Sequence, residues 1–327
     1  MKNIQTRRQT LRQLGALTLA GAAGSAWAQA AGDKTVRIVL PNAVSSGVDT
    51  ITRTAQNALS KALGHPVVVE NQPGAGGVLG VQTVVRAAPD GLTLGVVSNN
   101  VVIFPSVLKS LPFDLHTDVT PIAICGYTPV VLVVNPKVPA TNAKEFTAFL
   151  KSKNGEANFA SGGNGTILHL AAEMFLDEAG VKARHIPYKG VGPMLTDLIG
   201  GQVEFATAAL PSVQQHLKSG ALRAIGIATS QRVPAAPDLP TFVEQGLPGY
   251  VVEAWFGVIG PKGLPAADVK RINAAVVTAF ADPGVMEAMA KQGNVINVST
   301  PERAQTFFKD EMLKYAKLVK KAGIEAQ

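Results

Sequence analysis

The sequence is poor in the groups that most enzymes and nucleic-acid binders depend on. It has one cysteine, Cys125, so no disulfide can form within the chain. Cys125 lies in the apolar run Ile122-Ala123-Ile124-Cys125, with no neighbouring base to make it a nucleophile, so a buried, inert thiol is expected. The five histidines are scattered, and none pairs in an H-x-x-x-H or His/Cys spacing, so no metal site and no cofactor is expected. There is no Gly-x-Ser-x-Gly elbow and no phosphate-binding Gly-Lys-Ser/Thr. Aromatics make up only 6% of residues, too few for base-stacking platforms. No stretch approaches the roughly 20 apolar residues of a membrane span.

What is present starts with an export leader. Lys2, Arg7, Arg8 and Arg12 form a basic region, residues 14–23 are apolar, and Ala26-Trp27-Ala28 is a small-residue cleavage site. Residues 1–28 therefore read as a signal peptide, with a mature start at Gln29 and the periplasm as destination. Thr6-Arg7-Arg8-Gln9-Thr10-Leu11-Arg12 resembles a twin-arginine signal, with Thr10 where that motif prefers an aromatic. The leader carries four of the 30 basic residues and no acid, which leaves 26 bases against 23 acids. A surplus of three with no basic block gives nucleic-acid binding no support and is compatible with anionic ligands.

The remaining chain is long for one core and alternates strand-like and helix-like segments. Residues 36–40 form a β-branched run, followed by a Ser/Gly loop and a helix with Ile51, Ala55, Leu59 and Leu63 on one face. Asp49 is expected to cap that helix, and Gly64 to end it. Strands are expected at residues 67–69 and 92–97, and a long apolar stretch covers residues 122–134. The pattern then restarts, with Thr141 and Thr166 as expected caps. It closes on helices over residues 266–281 and 283–292 and one opened by Thr300-Pro301. This alternation predicts mainly parallel sheets with helices on both faces. No linker separates the halves, so two chain crossings at a hinge are expected. Lobe one then takes residues 33–127 and 253–327, and lobe two residues 128–252.

Two loops share the layout of strand, small residues and helix start: Val44-Ser45-Ser46-Gly47-Val48-Asp49 and Ser161-Gly162-Gly163-Asn164-Gly165-Thr166. Free backbone N–H groups and the positive dipole end meet at such a start, which makes an anion site. Ordinary capped βα turns have the same layout, so the pattern alone leaves both readings open. His169 falls one turn after Thr166, where it is expected either to face the cleft or to pack. Gly74-Ala75-Gly76-Gly77 fails as a dinucleotide fingerprint because Leu79 stands at the last glycine position.

Glu70-Asn71-Gln72-Pro73-Gly74-Ala75-Gly76-Gly77 resembles the signature of the Bug receptors, the solute-binding family of tripartite tricarboxylate transporters. Ala87-Ala88-Pro89-Asp90-Gly91, Val133-Val134-Asn135-Pro136, Gly163-Asn164-Gly165-Thr166 with His169-Leu170, Pro187-Tyr188-Lys189-Gly190 and Trp255-Phe256-Gly257 follow in the family's order. The resemblance runs over essentially the whole chain after the leader. It implies an α/β type II periplasmic binding-protein fold: two α/β lobes joined by a two-crossing hinge, with a cleft between them. It implies a receptor without chemistry that holds a dicarboxylate, tricarboxylate or aromatic acid. The implied contacts are Val44, Ser45, Ser46, Gly47 and Asp49 from one lobe. From the other come Ser161, Gly163, Asn164, Gly165, Thr166, His169, Tyr188 and Ala208.

The implied partners are the small carboxylate and the subunits of a membrane transporter, with the receptor itself a monomer and no nucleic acid bound. A sensory receptor presenting a bound acid to a signalling protein is the alternative, and an organic-acid enzyme a more distant one. Two departures touch the expected pocket. The first loop keeps Pro41, Gly47 and Asp49 but loses an inner proline and two glycines, and Ala208-Ala209 stand where many members carry Asp or Asn. Both point to a less polar far end, and to a plain or aromatic acid in preference to an amino acid.

Overall fold

Strand β1 (Val36–Leu40) runs parallel to β2 (Val67–Asn71) on one side and β3 (Thr93–Ser98) on the other. The computed structural model describes residues 34–326; the leader at residues 1–28 lies outside the described residues. Helix α1 (Gly47–Leu63) joins β1 to β2 and buries Ile51, Ala55, Leu59 and Leu63 on one face. It ends at Gly64, whose φ of 70° is the left-handed turn that costs glycine least. After β2 a single 3₁₀ turn (Ala75–Gly77) leads into α2 (Val78–Val85).

Two elements depart from the sequence expectations in this half. Helix α3 (Asn100–Val107) follows β3 and has no readable period, because its residues 101–104 are all buried and apolar and Pro105 lies inside it. Strand β4 (Val119–Val134) is continuous, although Gly126 and Pro129 lie within it. At Gly126 the two-residue strand β10 (Val295–Ile296) comes so close that an added Cβ would strike the Val295 carbonyl oxygen.

The second α/β unit contains α4 (Ala143–Ser152), β5 (Asn158–Ser161), α5 (Ile167–Ala179), β6 (Arg184–Pro187), α6 (Val191–Gly200), β7 (Phe205–Ala209), α7 (Leu210–Lys218) and β8 (Arg223–Ile227). Strand β5 is parallel to β6 and β7. Thr166 caps α5 as expected, whereas Asn142 and not Thr141 caps α4. Strand β9 (Glu253–Pro261) then returns the chain beside β3 and β4.

The expected mainly parallel sheet is corrected here. Strand β4 pairs antiparallel with β9 up to Pro129, and from Val130 onward antiparallel with β7 and β8. The reason is connectivity: β4 carries the chain out of the first lobe and β9 carries it back, so neighbours on that path must run in opposite directions. Parallel pairing survives where βα units follow one another. The result is the two-lobed α/β architecture, with β4 shared between the lobes and the cleft beside it.

Helices α8 (Ala266–Phe280), α9 (Pro283–Lys291) and α10 (Pro301–Lys321) complete the described chain, with α8 packed on α1. Trp255 on β9 is buried and donates from Nε1 to Glu311 of α10 at 2.8 Å. Cys125 is fully buried in the first lobe's core, and burial pushes its thiol up to about 12. The inert reading of that cysteine holds.

Candidate functional site

A cavity of about 700 Å³ lies between the lobes. The loop after β1 forms part of its wall. Ser46 caps α1, its Oγ accepting from Asp49 N at 3.2 Å, while Asp49 Oδ2 accepts from Ser45 N at 3.0 Å. The expected cap, Asp49, is therefore corrected to Ser46; Asp49 sits in the first turn and ties back to the loop. Its other oxygen accepts from Arg53 Nε and Asn71 Nδ2, both at 2.9 Å. Asp49 is thus a neutralised loop brace that does not line the cavity. Val44 is 59% exposed and Ser45, at φ 67°, makes the outer bend; neither lines the wall, whereas Ser46 and Gly47 do.

The second loop is tied to itself in the same manner. Thr166 Oγ1 donates to Gly163 O at 2.8 Å and accepts from His169 N. Gly165 N donates to His169 Nδ1 at 3.0 Å. That bond fixes the ring's tautomer and turns Nε2 toward Glu173, 3.5 Å away. His169 is 4% exposed and stacks on His185 at 3.7 Å, behind the loop and off the cavity wall. Ser161 Oγ lies 2.6 Å from His185 Nε2. It is no nucleophile–base pair facing a substrate, since Ser161 is fully buried and gives its hydrogen to Gly163 O.

Of the expected second-lobe contacts, Gly163, Asn164, Thr166 and Tyr188 line the cavity, and Ser161, Gly165, His169 and Ala208 do not. Ala208 faces the second lobe's core, and its neighbour Ala209 faces the cavity, as strand alternation requires. Tyr188 donates its hydroxyl to Asp197 at 2.8 Å; burial and that carboxylate push the phenol up to about 12. Sequence reasoning missed Asn42, Asn100, Lys189, Ser212 and the lining role of the Gly74–Gly77 turn. An asparagine pair between a strand and a helix, at Asn99-Asn100, was the one local signal available.

The wall is electrostatically one-sided. Among the described residues six helices begin at it: α1 at Gly47, α2 after Gly77, α3 at Asn100, α5 after Thr166, α6 at Val191 and α7 after Ala209. Each brings a positive dipole end and first-turn N–H groups that the helix itself leaves unpaired. Helices α2, α3, α6 and α7 have no side-chain cap among the described residues. Among the described residues Lys189 is the one charged residue on the wall, and no acid lines it. Asn42 Oδ1 and Ser212 Oγ, both on the wall, are buried with no protein partner among the described residues. Ile51, Val191, Trp255 and Phe256 make the remaining surface apolar. The lobes touch around the cavity at three glycines, where added Cβ atoms would lie 2.8 Å from Ala209 (at Gly47), 2.6 Å from Ala43 (at Gly190) and 2.6 Å from Val107 (at Gly165).

Residues 51–324 match the tripartite tricarboxylate transporter family receptor. The chain belongs to this receptor family. It is 34% identical over 290 residues to the protein BugT of Bordetella pertussis, covering 88% of this chain and 89% of that one. Among solved structures it is similar to the periplasmic binding protein BugD, at 33% identity and TM-score 0.85, covering 90% of this chain and 99% of BugD. It is also similar to MatC from Rhodopseudomonas palustris, solved with bound malate, at 31% identity and TM-score 0.81, covering 87% and 98%. The resemblance and the two-lobed periplasmic binding-protein fold expected from the sequence both stand. Among the described residues no helix of the receptor is long and apolar enough to cross a membrane.

The stacked histidines give the receptor an acid-sensitive brace. Burial first, and the neighbouring His169 second, hold the His185 pKa down at about 3. In the unfolded chain a histidine takes its proton near pH 6.5. Stability from this site is therefore full above about pH 6.5 and is lost as pH falls toward 3. Carboxylates with lowered pKa, such as Glu70 and Glu145, add their loss only below about 4.5, so the window from pH 6.5 to 5 is largely free of them. Calorimetry across that window should show the melting temperature falling by about 2–4 °C, with part of that slope absent in His185→Phe. Equal slopes in the two proteins would remove His185 from the account.

Proposed function

We propose that this receptor binds a small organic acid through its carboxylate in the interlobe cavity and delivers it to a membrane transporter of the tripartite tricarboxylate type. The observation that carries the reading is the wall itself: among the described residues, six helix starts, one lysine and no acid. An anion there meets dipole ends and free N–H donors from both lobes without having to displace a protein carboxylate. Hydrogen bonds to a charged group contribute about 1.5–3 kcal/mol each, so three or four of them can support micromolar affinity, about −8 kcal/mol. Contacts from both lobes exist only when the lobes are together, so the ligand favours the closed arrangement. Lobe one in this reading takes residues 33–127 and 253–327 and lobe two residues 128–252, hinged at β4 and at the start of β9. Cleavage after Ala28 places the receptor in the periplasm.

The wall also bears on which acid. A free amino acid brings an ammonium group that needs an acidic partner, and Ala209 with the apolar surface offers none. A plain dicarboxylate or an aromatic acid fits the surface better; the malate bound to MatC is one such dicarboxylate. Thermal-shift measurement against malate, adipate, benzoate and glutamate tests this. At 100 times its Kd a binder adds about 2.7 kcal/mol, or about 4 °C for a protein of this size. A plain acid should give the largest rise. No rise with any acid, or the largest rise with glutamate, would refute the assignment.

A further inference from the structure

Two adjacent asparagines follow β3, and they face different parts of the molecule. Asn99 is fully buried; its Nδ2 donates to Glu253 O at 3.1 Å and to the Tyr315 hydroxyl, and its Oδ1 accepts from Trp255 N at 2.8 Å. It therefore fixes the end of β3 to the returning strand and to α10, all on the first lobe's side. Asn100, the first residue of α3, reaches the other way: its Oδ1 accepts from Ile167 N at 2.8 Å. Ile167 is the first residue of α5, so this N–H is one of the four that a helix start leaves unpaired.

The identity of the donor fixes the amide. A backbone N–H requires an acceptor, so the oxygen faces Ile167 and the NH₂ group is the other arm. Asn100 lines the cavity, and its Nδ2 has no protein acceptor among the described residues. One planar group thus offers a donor pair to the site while its oxygen holds the opposite lobe.

Resting on the receptor reading above, we propose that Asn100 couples ligand to closure: its Nδ2 donates to the ligand's carboxylate while its Oδ1 holds Ile167 of the second lobe. The arrangement works in both directions. An anion on Nδ2 polarises the amide and strengthens its acceptor end. The Ile167 bond in turn stops the amide rotating, so less freedom is lost when the ligand binds. Only with the lobes together are both bonds made, and that difference between states is what a ligand needs to shift the equilibrium. Asn100 is in this sense a ligand contact and a positioning residue for α5.

The test uses the mature chain with Asn100→Ala and Asn100→Asp, read by small-angle scattering without ligand and by calorimetric titration with malate, adipate and benzoate. Asn100→Ala removes both arms. Asn100→Asp keeps an oxygen for Ile167 N–H but replaces the donor with a negative charge. Without ligand, Asn100→Ala should have a larger radius of gyration than the wild type, and Asn100→Asp should match the wild type. For whichever acid the wild type binds, Asn100→Ala should lose about 10- to 100-fold in affinity, and Asn100→Asp more than that. A merely structural residue would lower the melting temperature of both variants without separating alanine from aspartate in this order. Identical radii for all three proteins, or Asn100→Asp binding as tightly as the wild type, would overturn the proposal. A wild type that binds none of the acids would overturn the receptor reading instead, and the ligand-free radii would still decide the role at Ile167.

Discussion

Replacing Gly165 with valine should abolish ligand binding while leaving both lobes folded. Gly165 has φ 68°, the left-handed region that a β-branched residue resists at a cost of about 1–3 kcal/mol. That strain lies in a loop of one lobe and is smaller than the stability of a typical domain. The larger effect is between lobes. A Cβ at residue 165 would lie 2.6 Å from Val107 Cγ2, 2.7 Å from its Cβ and 3.0 Å from its Cγ1, and Val107 is a buried residue of the opposing α3. Three atoms of a packed side chain cannot step aside together, so the lobes must part. The sequence alone suggests that valine would block backbone approach to the ligand. The structure gives a different cause, since Gly165 N is spent on His169 and its Cα faces Val107. Affinity falls with the fraction of closed molecules, so a loss of more than about 100-fold is expected by calorimetry, with an expanded radius in scattering. Val107→Gly in the same chain should restore part of the affinity, because it clears the clash but not the strain. Wild-type affinity in Gly165→Val would show that this contact does not govern closure.

The contrast between those two explanations marks what the sequence carries. The loops were legible as loops, because Ser and Gly between a β-branched run and an amphipathic helix are a local pattern. So were the Gly64 stop and the Thr166 and Thr300 caps. Which N–H groups remain for a ligand was not legible. His169 takes one of them from four residues away, and Asn100 takes another from a different lobe. Asp49 and Ser46 are both good cap residues three apart, and only the loop's path decides that the serine caps while the aspartate pairs with Arg53 and accepts from Asn71. Helix α3 escaped notice because its buried run over residues 101–104 covers a whole turn and leaves no period. The direction of β9 depends on a pairing with β4 more than 100 residues away, which no local pattern encodes.

Placing aspartate at Ala209 should stabilise the fold and eliminate acid binding at the same time. Ala209 stands at the N-cap position of α7 without a side-chain bond, and Pro211 in the first turn has no N–H to give. An aspartate there can accept from the free first-turn N–H groups, a cap that contributes about 0.5–2 kcal/mol. The melting temperature without ligand should therefore rise by about 1.5–2 °C per kcal/mol gained. The same carboxylate would stand on a wall that, among the described residues, now has Lys189 and no acid, close to Ser212 and across from Gly47. It would occupy donors that an incoming acid needs and repel it as well. Two like charges about 4 Å apart oppose each other by about 4 kcal/mol at an effective dielectric of 20, so a loss of 10²- to 10³-fold is expected for malate, adipate or benzoate, whichever the wild type binds. Ala209→Asn separates the two effects, since it supplies the cap and nearly the same bulk without the charge. It should keep the rise in melting temperature and lose much less affinity. The aspartate variant should also recover some acid binding at high salt, where the repulsion is screened, while the asparagine variant should not respond. Equal losses in the two variants would mean that steric crowding beside Gly47, and not charge, sets what this wall accepts.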